Sequence, residues 1–191
     1  MPRPKAFDAD AALQAAITVF WERGYEATSL PDLLEGMGIG RQSLYDTFGD
    51  KPALYRAALD AYRAAGQARI DAFLGVDVDP VAGIRGLLGS VADLDPACCA
   101  RGCMMLNSAS DAGRDPEIAR LLQRHSAGLA TALQATIARG QAAGGIVAGD
   151  TAALAHSVLV TFYGLVTAAR AGLDRPARRQ AVDLAMAALT G

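Results

Sequence analysis

The chain has 191 residues, of which 52% are hydrophobic, and its 18 Lys or Arg against 20 Asp or Glu give a formal net charge of −2. This length suffices for one large helical domain, or for a module of about 50 residues joined to a larger one. A slightly acidic chain does not coat nucleic acid indiscriminately, because such binding is driven by phosphate neutralisation, so any DNA contact must come from a local patch.

Apolar runs and the spacing of cysteine and histidine residues bear on cellular location and metal binding. No apolar run approaches the roughly 20 residues of a membrane span, and MPRPKAFDAD lacks the apolar stretch of a secretory signal. A cytoplasmic protein without membrane contact is expected. The cysteines Cys98, Cys99 and Cys103 are too clustered to staple a domain and are predicted to be free thiols. Because neither histidine lies at zinc-ligand spacing from them, we expect no metal and no cofactor.

Helical spacing dominates the chain, and strand signals are scarce, so an all-α fold is expected. The first helix is predicted to end at Gly24 and a short one to begin after Thr28 or Ser29. A third helix spans about 41–48, and a fourth begins near Asp50. Helix breaks are then predicted at GVDVDP, DLDPACCARG, DAGRDPE, QAAGGIVAGD and LDRP, leaving a glycine-weakened helix after the first break and later segments of about 101–112, 115–143, 150–172 and 176–189.

The third predicted helix has one apolar and one polar side. At about 100° per residue, Leu44 and Phe48 face a small core, whereas Gln42 points away. Glutamine pairs bidentately with adenine, arginine pairs with guanine, and a carboxylate accepts from cytosine N4. We therefore predict a major-groove reader whose base contacts are Arg41, Gln42, Ser43 and Asp46.

Phosphate contacts are predicted around this helix. Thr28 at a helix N-terminus, the Tyr45 hydroxyl and Lys51 at the start of the fourth helix are expected to set the register on DNA. Lys5, in a basic N-terminal arm, is expected to reach phosphate or the adjacent minor groove.

Two other functions are weighed against DNA binding. An all-helical protein-interaction adaptor would better explain why residues 1–55 hold five Lys or Arg against eight Asp or Glu. An enzyme has little support, because GMGIG lacks the strand and last glycine of a dinucleotide loop and no Gly-x-Ser-x-Gly elbow is present.

Residues 15–59 resemble the N-terminal DNA-binding segment of TetR-type transcriptional regulators. The matching elements are Phe20, Arg23-Gly24-Tyr25, Thr28-Ser29, the Gly38-Ile39-Gly40 turn, Ser43-Leu44-Tyr45, Phe48 and Lys51. The resemblance implies an all-α homodimer with a helix-turn-helix domain at 1–50 and a larger helical domain at 51–191. That larger domain would bind a small-molecule effector and form the dimer, so that the effector changes the spacing of two recognition helices on a palindromic operator.

The C-terminal part offers candidates for both tasks. The dimer interface is predicted to contain Leu154, Val158, Leu165 and Leu184, with an intrachain core as the alternative. A pocket for a small, mostly apolar ligand is predicted from Cys103, Met104, Asn107, Phe162 and Tyr163, again with core packing as the alternative.

Cys103 has a second predicted role. It follows Arg101-Gly102 near a helix start, where positive charge favours a reactive thiolate. Some TetR-type proteins with an Arg/Ser-Gly-Cys segment here resemble sensors of electrophiles or oxidants, so the resemblance implies a sensing thiol, with an inert buried cysteine as the alternative. The function predicted from the whole chain is therefore a repressor released from its operator by a small ligand or by thiol modification.

Overall fold

The computed structural model describes residues 7–111 and 113–191, which form ten α-helices and one 3₁₀ turn without any strand. The helices are α1 (Ala9–Arg23), α2 (Leu30–Met37), α3 (Arg41–Phe48), α4 (Lys51–Leu74), α5 (Pro80–Ala92), α6 (Pro96–Arg101), α7 (Met104–Asn107), α8 (Pro116–Ala142), α9 (Thr151–Arg170) and α10 (Arg175–Thr190), with the 3₁₀ turn at Ser108–Ser110. The predicted all-α fold is confirmed.

Helices α1 to α3 form a small head. Phe20, Leu33 and Leu44, one from each helix, are almost completely buried in its core. A capping box between Ser29 and Asp32 starts α2. Gly38 ends α2 with φ +64°, a left-handed conformation that glycine adopts without strain. The resulting short turn holds α3 against α2 as a helix-turn-helix.

The remaining long helices form the body. Helix α8 packs against α4, α5 and α9, while α10 packs against α5 and α9. Their buried aliphatic side chains make one continuous core, represented by Ile84, Leu88, Leu133, Ile137 and Met186, each fully buried.

The core of the head does not end near residue 50. Leu54 and Tyr55 of α4, Met104 and Met105 of α7, and Leu121 of α8 belong to the same buried cluster as the head helices. Residues 51–191 therefore supply part of the packing that holds the head.

Two helix predictions in the middle of the chain are corrected. DLDPACCARG was predicted to be a break, but it contains α6, because the Asp95 carboxylate caps the Cys98 N–H and Pro96 occupies the first turn. The predicted segment 101–112 is instead interrupted by Gly102, after which come the single turn of α7 and the 3₁₀ turn.

Within the described residues, α9 is the one helix whose length and composition would suffice to cross a membrane. Its residues Ala155, Val158, Leu159, Leu165 and Val166 lie in the body core. Packing against α5, α8 and α10 accounts for its apolar composition.

Candidate nucleic-acid interface

Helix α3 presents a polar face whose opposite side is fixed in the head core. Leu44 is fully buried, whereas Arg41, Gln42 and Asp46 are exposed and Ser43 is half-buried. The Gln42 Nε2 donates to the Asp46 Oδ1 at 2.8 Å, one helical turn apart. This bond holds the glutamine side chain along the helix surface with its carbonyl oxygen available as an acceptor.

The beginning of α4 adds a positive charge beside this face. The Lys51 ammonium lies 4.3 Å from the centroid of the Tyr25 ring, and Tyr25 stacks on Tyr55 at 4.7 Å. A cation over an aromatic face is held by the ring quadrupole. Tyr45, on α3, is 45% exposed. Of the predicted phosphate contacts on this side of the head, Tyr45 is exposed and Lys51 is half-buried.

The predicted role of Thr28 needs correction. This side chain is 1% exposed, and its hydroxyl donates to the Gly24 carbonyl at 2.6 Å. The residue that caps α2 is the exposed Ser29. Because the Thr28 hydroxyl already has a buried partner, it is not available to a phosphate. Lys5 lies outside the described residues.

The acidic residues of the head are largely held by local partners. Arg23 pairs with Asp32, and hydrogen bonds from Ser29 hold the pKa of Asp32 below its usual range. Arg114 of the body pairs with Glu26. The Asp8 and Asp50 side chains accept hydrogen bonds at the starts of α1 and α4. The acidic excess of residues 1–55 is thus partly compensated within the fold.

The head and the body meet around Cys103. The thiol is half-buried and packs against both hydrophobic clusters, that of the head and that of the body. Burial, and secondly the neighbouring thiol, raise the pKa of Tyr62. Burial also raises the pKa of Tyr163, and the nearby Cys103 raises it further. The thiol therefore lies near tyrosines of α4 and α9.

The predicted pocket residues are only partly brought together. Phe162 contacts Tyr163 with ring centroids 5.9 Å apart, both pack against the body core, and Tyr163 lies near Cys103. The Asn107 side chain instead donates a hydrogen bond to the Arg101 carbonyl and accepts one from Arg170. Met104 is corrected to a packing residue, because it is 1% exposed and lies in the core of the head.

A cavity of about 600 Å³ lies elsewhere, between α6 and the α9–α10 connection. Its lining includes Leu94, Cys99, Leu173 and the buried Arg178. The Arg178 guanidinium donates to the carbonyls of Ala92, Leu94 and Leu173. We interpret Arg178 as the group that satisfies the chain ends of α5 and α9.

The last two helices, which pack against each other, each carry a strongly exposed large apolar side chain. Leu184 is 73% exposed and Val160 is 68% exposed. Of the other predicted interface residues, Leu154 is half-buried against the body core. Val158 and Leu165 are corrected to core residues, because they are 5% and 4% exposed within a single chain.

Trp21, Tyr62 and Arg114 were missed as residues that connect the head to the body. The hydrogen-bond partner of Trp21, Gly102, lies 81 positions away along the chain. A lone tryptophan on the first helix was the available signal, but it did not identify the partner.

Comparison with known proteins agrees with this architecture. Residues 12–58 match the family model of bacterial regulatory proteins of the tetR family, and residues 80–191 match the C-terminal model of BetI-type transcriptional repressors. The first match covers the head, and the second covers most of the body.

Individual relatives cover nearly the whole chain. The HTH-type transcriptional regulator YezE of Bacillus subtilis is 36% identical over 99% of this chain and 100% of its own length. The HTH-type transcriptional repressor ComR of Escherichia coli is 35% identical over 89% of this chain and 83% of its own.

Among solved structures, a cysteine mutant of the TetR family regulator CifR, complexed with 26-bp double-strand operator DNA, superposes with a TM-score of 0.79. The two chains are 32% identical, over 98% of this chain and 99% of the other. These relatives are regulators rather than enzymes, and an operator-bound relative does not favour the adaptor alternative. The chain belongs to the TetR family of DNA-binding transcriptional regulators.

Proposed function

We propose that this regulator is a homodimeric, cytoplasmic repressor that reads a palindromic operator through α3 and leaves it when Cys103 is modified or when a small, mostly apolar molecule binds nearby. The observation that carries the proposal is the exposed polar face of α3, fixed on its other side by the fully buried Leu44. A rigid helix with such a face fits the major groove.

Base reading is assigned to Arg41, Gln42, Ser43 and Asp46, and phosphate contacts to Tyr45, Lys51 and Lys5. The hydrogen bond between Gln42 and Asp46 supports a joint role, because it orders the glutamine before DNA is met. Lys51 opens α4, so its ammonium and the positive helix end act on the same phosphate.

Dimerisation is assigned to α9 and α10, with Leu184 and Val160 in the interface. Both are strongly exposed apolar side chains in the single chain. Small residues such as Gly164 lie on the exposed part of α9 and allow two helices to approach closely. Two heads then meet two half-sites about 34–36 Å apart, or a multiple of this distance.

The trigger is assigned to the junction around Cys103. Its thiol packs against both clusters, so an added group there must displace packed atoms of the head, the body or both. An apolar molecule entering beside Phe162 and Tyr163 would act at the same place. Either event releases DNA only if it favours the state that binds DNA less well.

The proposal is tested by selecting bound duplexes from a random DNA pool with the purified protein under reducing conditions and at a stated salt concentration. A recovered palindrome would support a dimeric reader. If neither the reduced nor the thiol-modified protein enriches any sequence, the assignment of α3 as a base reader fails.

The first prediction concerns Gln42→Ala. Loss of its base contact, and of the bond that orders it with Asp46, is expected to cost about 1–3 kcal/mol and to relax preference at one base pair of each half-site. Binding to the operator and to single-base variants measures this change in preference. An equal loss on all duplexes would contradict base reading by Gln42.

Lys51→Ala serves as the matched comparison. Removing a phosphate contact should weaken binding to every duplex and reduce the salt slope by about one, without changing base preference. A change of base preference in this variant would contradict the role of Lys51 as a phosphate contact and would assign base reading to it.

The second prediction concerns Cys103. Alkylation by N-ethylmaleimide is expected to lower operator affinity by about 5–150-fold, the usual range of coupling between two sites. Cys103→Ser should bind the operator and resist the reagent. Operator titration with mass determination of the adduct measures both.

Cys98→Ser is the control for the neighbouring thiols, because Cys98 is also half-buried and is not among the residues packed against either core. This variant should keep the full response. If Cys98→Ser loses the response and Cys103→Ser keeps it, Cys98 is the trigger instead.

A further inference from the structure

Trp21 connects α1 of the head to the turn that precedes Cys103. Its Nε1 donates to the Gly102 carbonyl at 3.0 Å. The Arg101 guanidinium lies 4.8 Å from the Trp21 ring, and the Tyr62 ring meets Trp21 edge-on at 5.1 Å. One side chain of the head is thus held by α6, by the following turn and by α4.

The turn itself is tightly defined. Gly102 has φ +64° and ψ −154°, a conformation that side-chain-bearing residues rarely adopt. A Cβ on Gly102 would lie 3.1 Å from the Arg170 Cδ of α9. Asn107 donates to the Arg101 carbonyl at 2.8 Å and is itself bonded by Arg170. The turn therefore has little freedom to absorb a nearby displacement.

The far end of the same segment is attached separately to α4. The Tyr55 hydroxyl donates to Asp111 at 3.1 Å, and Arg56 pairs with Asp115 at 2.8 Å. A displacement at the Cys103 end is consequently not shared by the whole segment. It acts on the groups next to Cys103, which include the Gly102 turn, Tyr62 of α4 and Tyr163 of α9.

Two of these groups, the Gly102 turn and Tyr62, are partners of Trp21. We propose that Trp21 is a positioning residue, a strut that transmits a rearrangement of the Gly102–Cys103 turn to α1 and thereby to the recognition helix. This inference rests on the proposed thiol trigger and names the contact through which that trigger reaches the head. In the trigger, the Cys103 sulfur adds to an electrophilic carbon–carbon double bond. One carbon–sulfur bond forms as the π bond of the alkene breaks, and the thiol proton passes through solvent to the adjacent carbon.

The test compares the full-length protein with Trp21→Phe, each with and without one equivalent of N-ethylmaleimide on Cys103. Phenylalanine keeps an aromatic ring between Arg101 and Tyr62 but lacks the N–H that holds Gly102. Unmodified, the two proteins should bind the selected operator equally, within about threefold. Alkylation should weaken the unsubstituted protein by about tenfold or more and Trp21→Phe by less than about threefold.

A second readout needs no substitution. Trp21 is the single tryptophan of the chain, so tryptophan emission reports on the surroundings of this side chain alone. Alkylation of Cys103 should shift the emission to longer wavelength as the indole loses the Gly102 carbonyl and gains solvent. An unchanged emission spectrum would overturn the strut even if Trp21→Phe failed to fold.

The remaining outcomes separate the two proposals. Equal losses of affinity in both proteins would overturn the role of Trp21 and leave the thiol trigger standing. A shifted emission without any loss of operator affinity in the unsubstituted protein would overturn the thiol trigger, and the strut with it.

Discussion

Replacing Leu184 by Glu is expected to lower operator affinity by about 100-fold or more while the single chain stays folded. A dimer binds its second half-site as an intramolecular event, and losing that advantage costs about 10²–10⁴ in affinity. A carboxylate placed at an apolar interface between symmetry mates meets its own copy or loses its water, and both effects oppose association.

The fold should survive because Leu184 is 73% exposed in the single chain. Substitutions at exposed sites usually change the free energy of unfolding by less than about 0.5 kcal/mol. Val76→Glu is the matched control, since Val76 is 79% exposed in the connection between α4 and α5. Light scattering and operator titration of the two variants measure the result.

Val76→Glu should remain dimeric and bind normally. If Leu184→Glu also remains dimeric and binds the operator with full affinity, α9 and α10 do not form the interface. If both variants dissociate, the loss comes from added negative charge rather than from a specific contact.

The predicted dimer interface illustrates that helical spacing does not decide which side of a helix is buried. Helix α9 is apolar on more than one side, so a period of 3.6 residues identifies a helix without saying which side faces the chain's own core. Val158 and Leu165 were therefore placed on the interface, although they face the core, and the exposed Val160 was overlooked. Leu184 was placed on the side that the structure leaves open.

The helix-turn-helix was predictable because its determinants are local. The predicted bounds of α3 agree with Arg41–Phe48. The turn before it depends on the left-handed conformation of Gly38, which can be predicted because glycine is the residue that most readily adopts it. Thr28 was harder, since two adjacent hydroxyl residues can both cap a helix. Only the fold shows that Ser29 does so and that Thr28 is buried.

Contacts between distant segments were beyond prediction from one sequence. The bond from Trp21 to Gly102 and the ion pair between Arg114 and Glu26 join residues more than 80 positions apart. Neither pair has a local signature, because each partner alone is an ordinary surface or packing residue. The extent of the head core was missed for the same reason.

Met104→Ala is expected to lower the free energy of unfolding by about 2–5 kcal/mol, the usual cost of emptying a buried methionine site. Met104 is 1% exposed and belongs to the cluster that holds the head helices. A methionine that lined an open ligand pocket would cost much less, since its removal would enlarge a space that already exists. Denaturant unfolding followed by Trp21 fluorescence and by helical circular dichroism measures the loss.

Because the core of the head includes residues of α4, α7 and α8, both probes should report a single shared transition that shifts to lower denaturant. Val76→Ala, at an exposed site, should stay within about 0.5 kcal/mol of the unsubstituted protein. A loss below about 1 kcal/mol for Met104→Ala would return this residue to the ligand pocket predicted from sequence. An early fluorescence transition, separate from the loss of helix, would mean that the head unfolds by itself and that its attachment through α7 is weak.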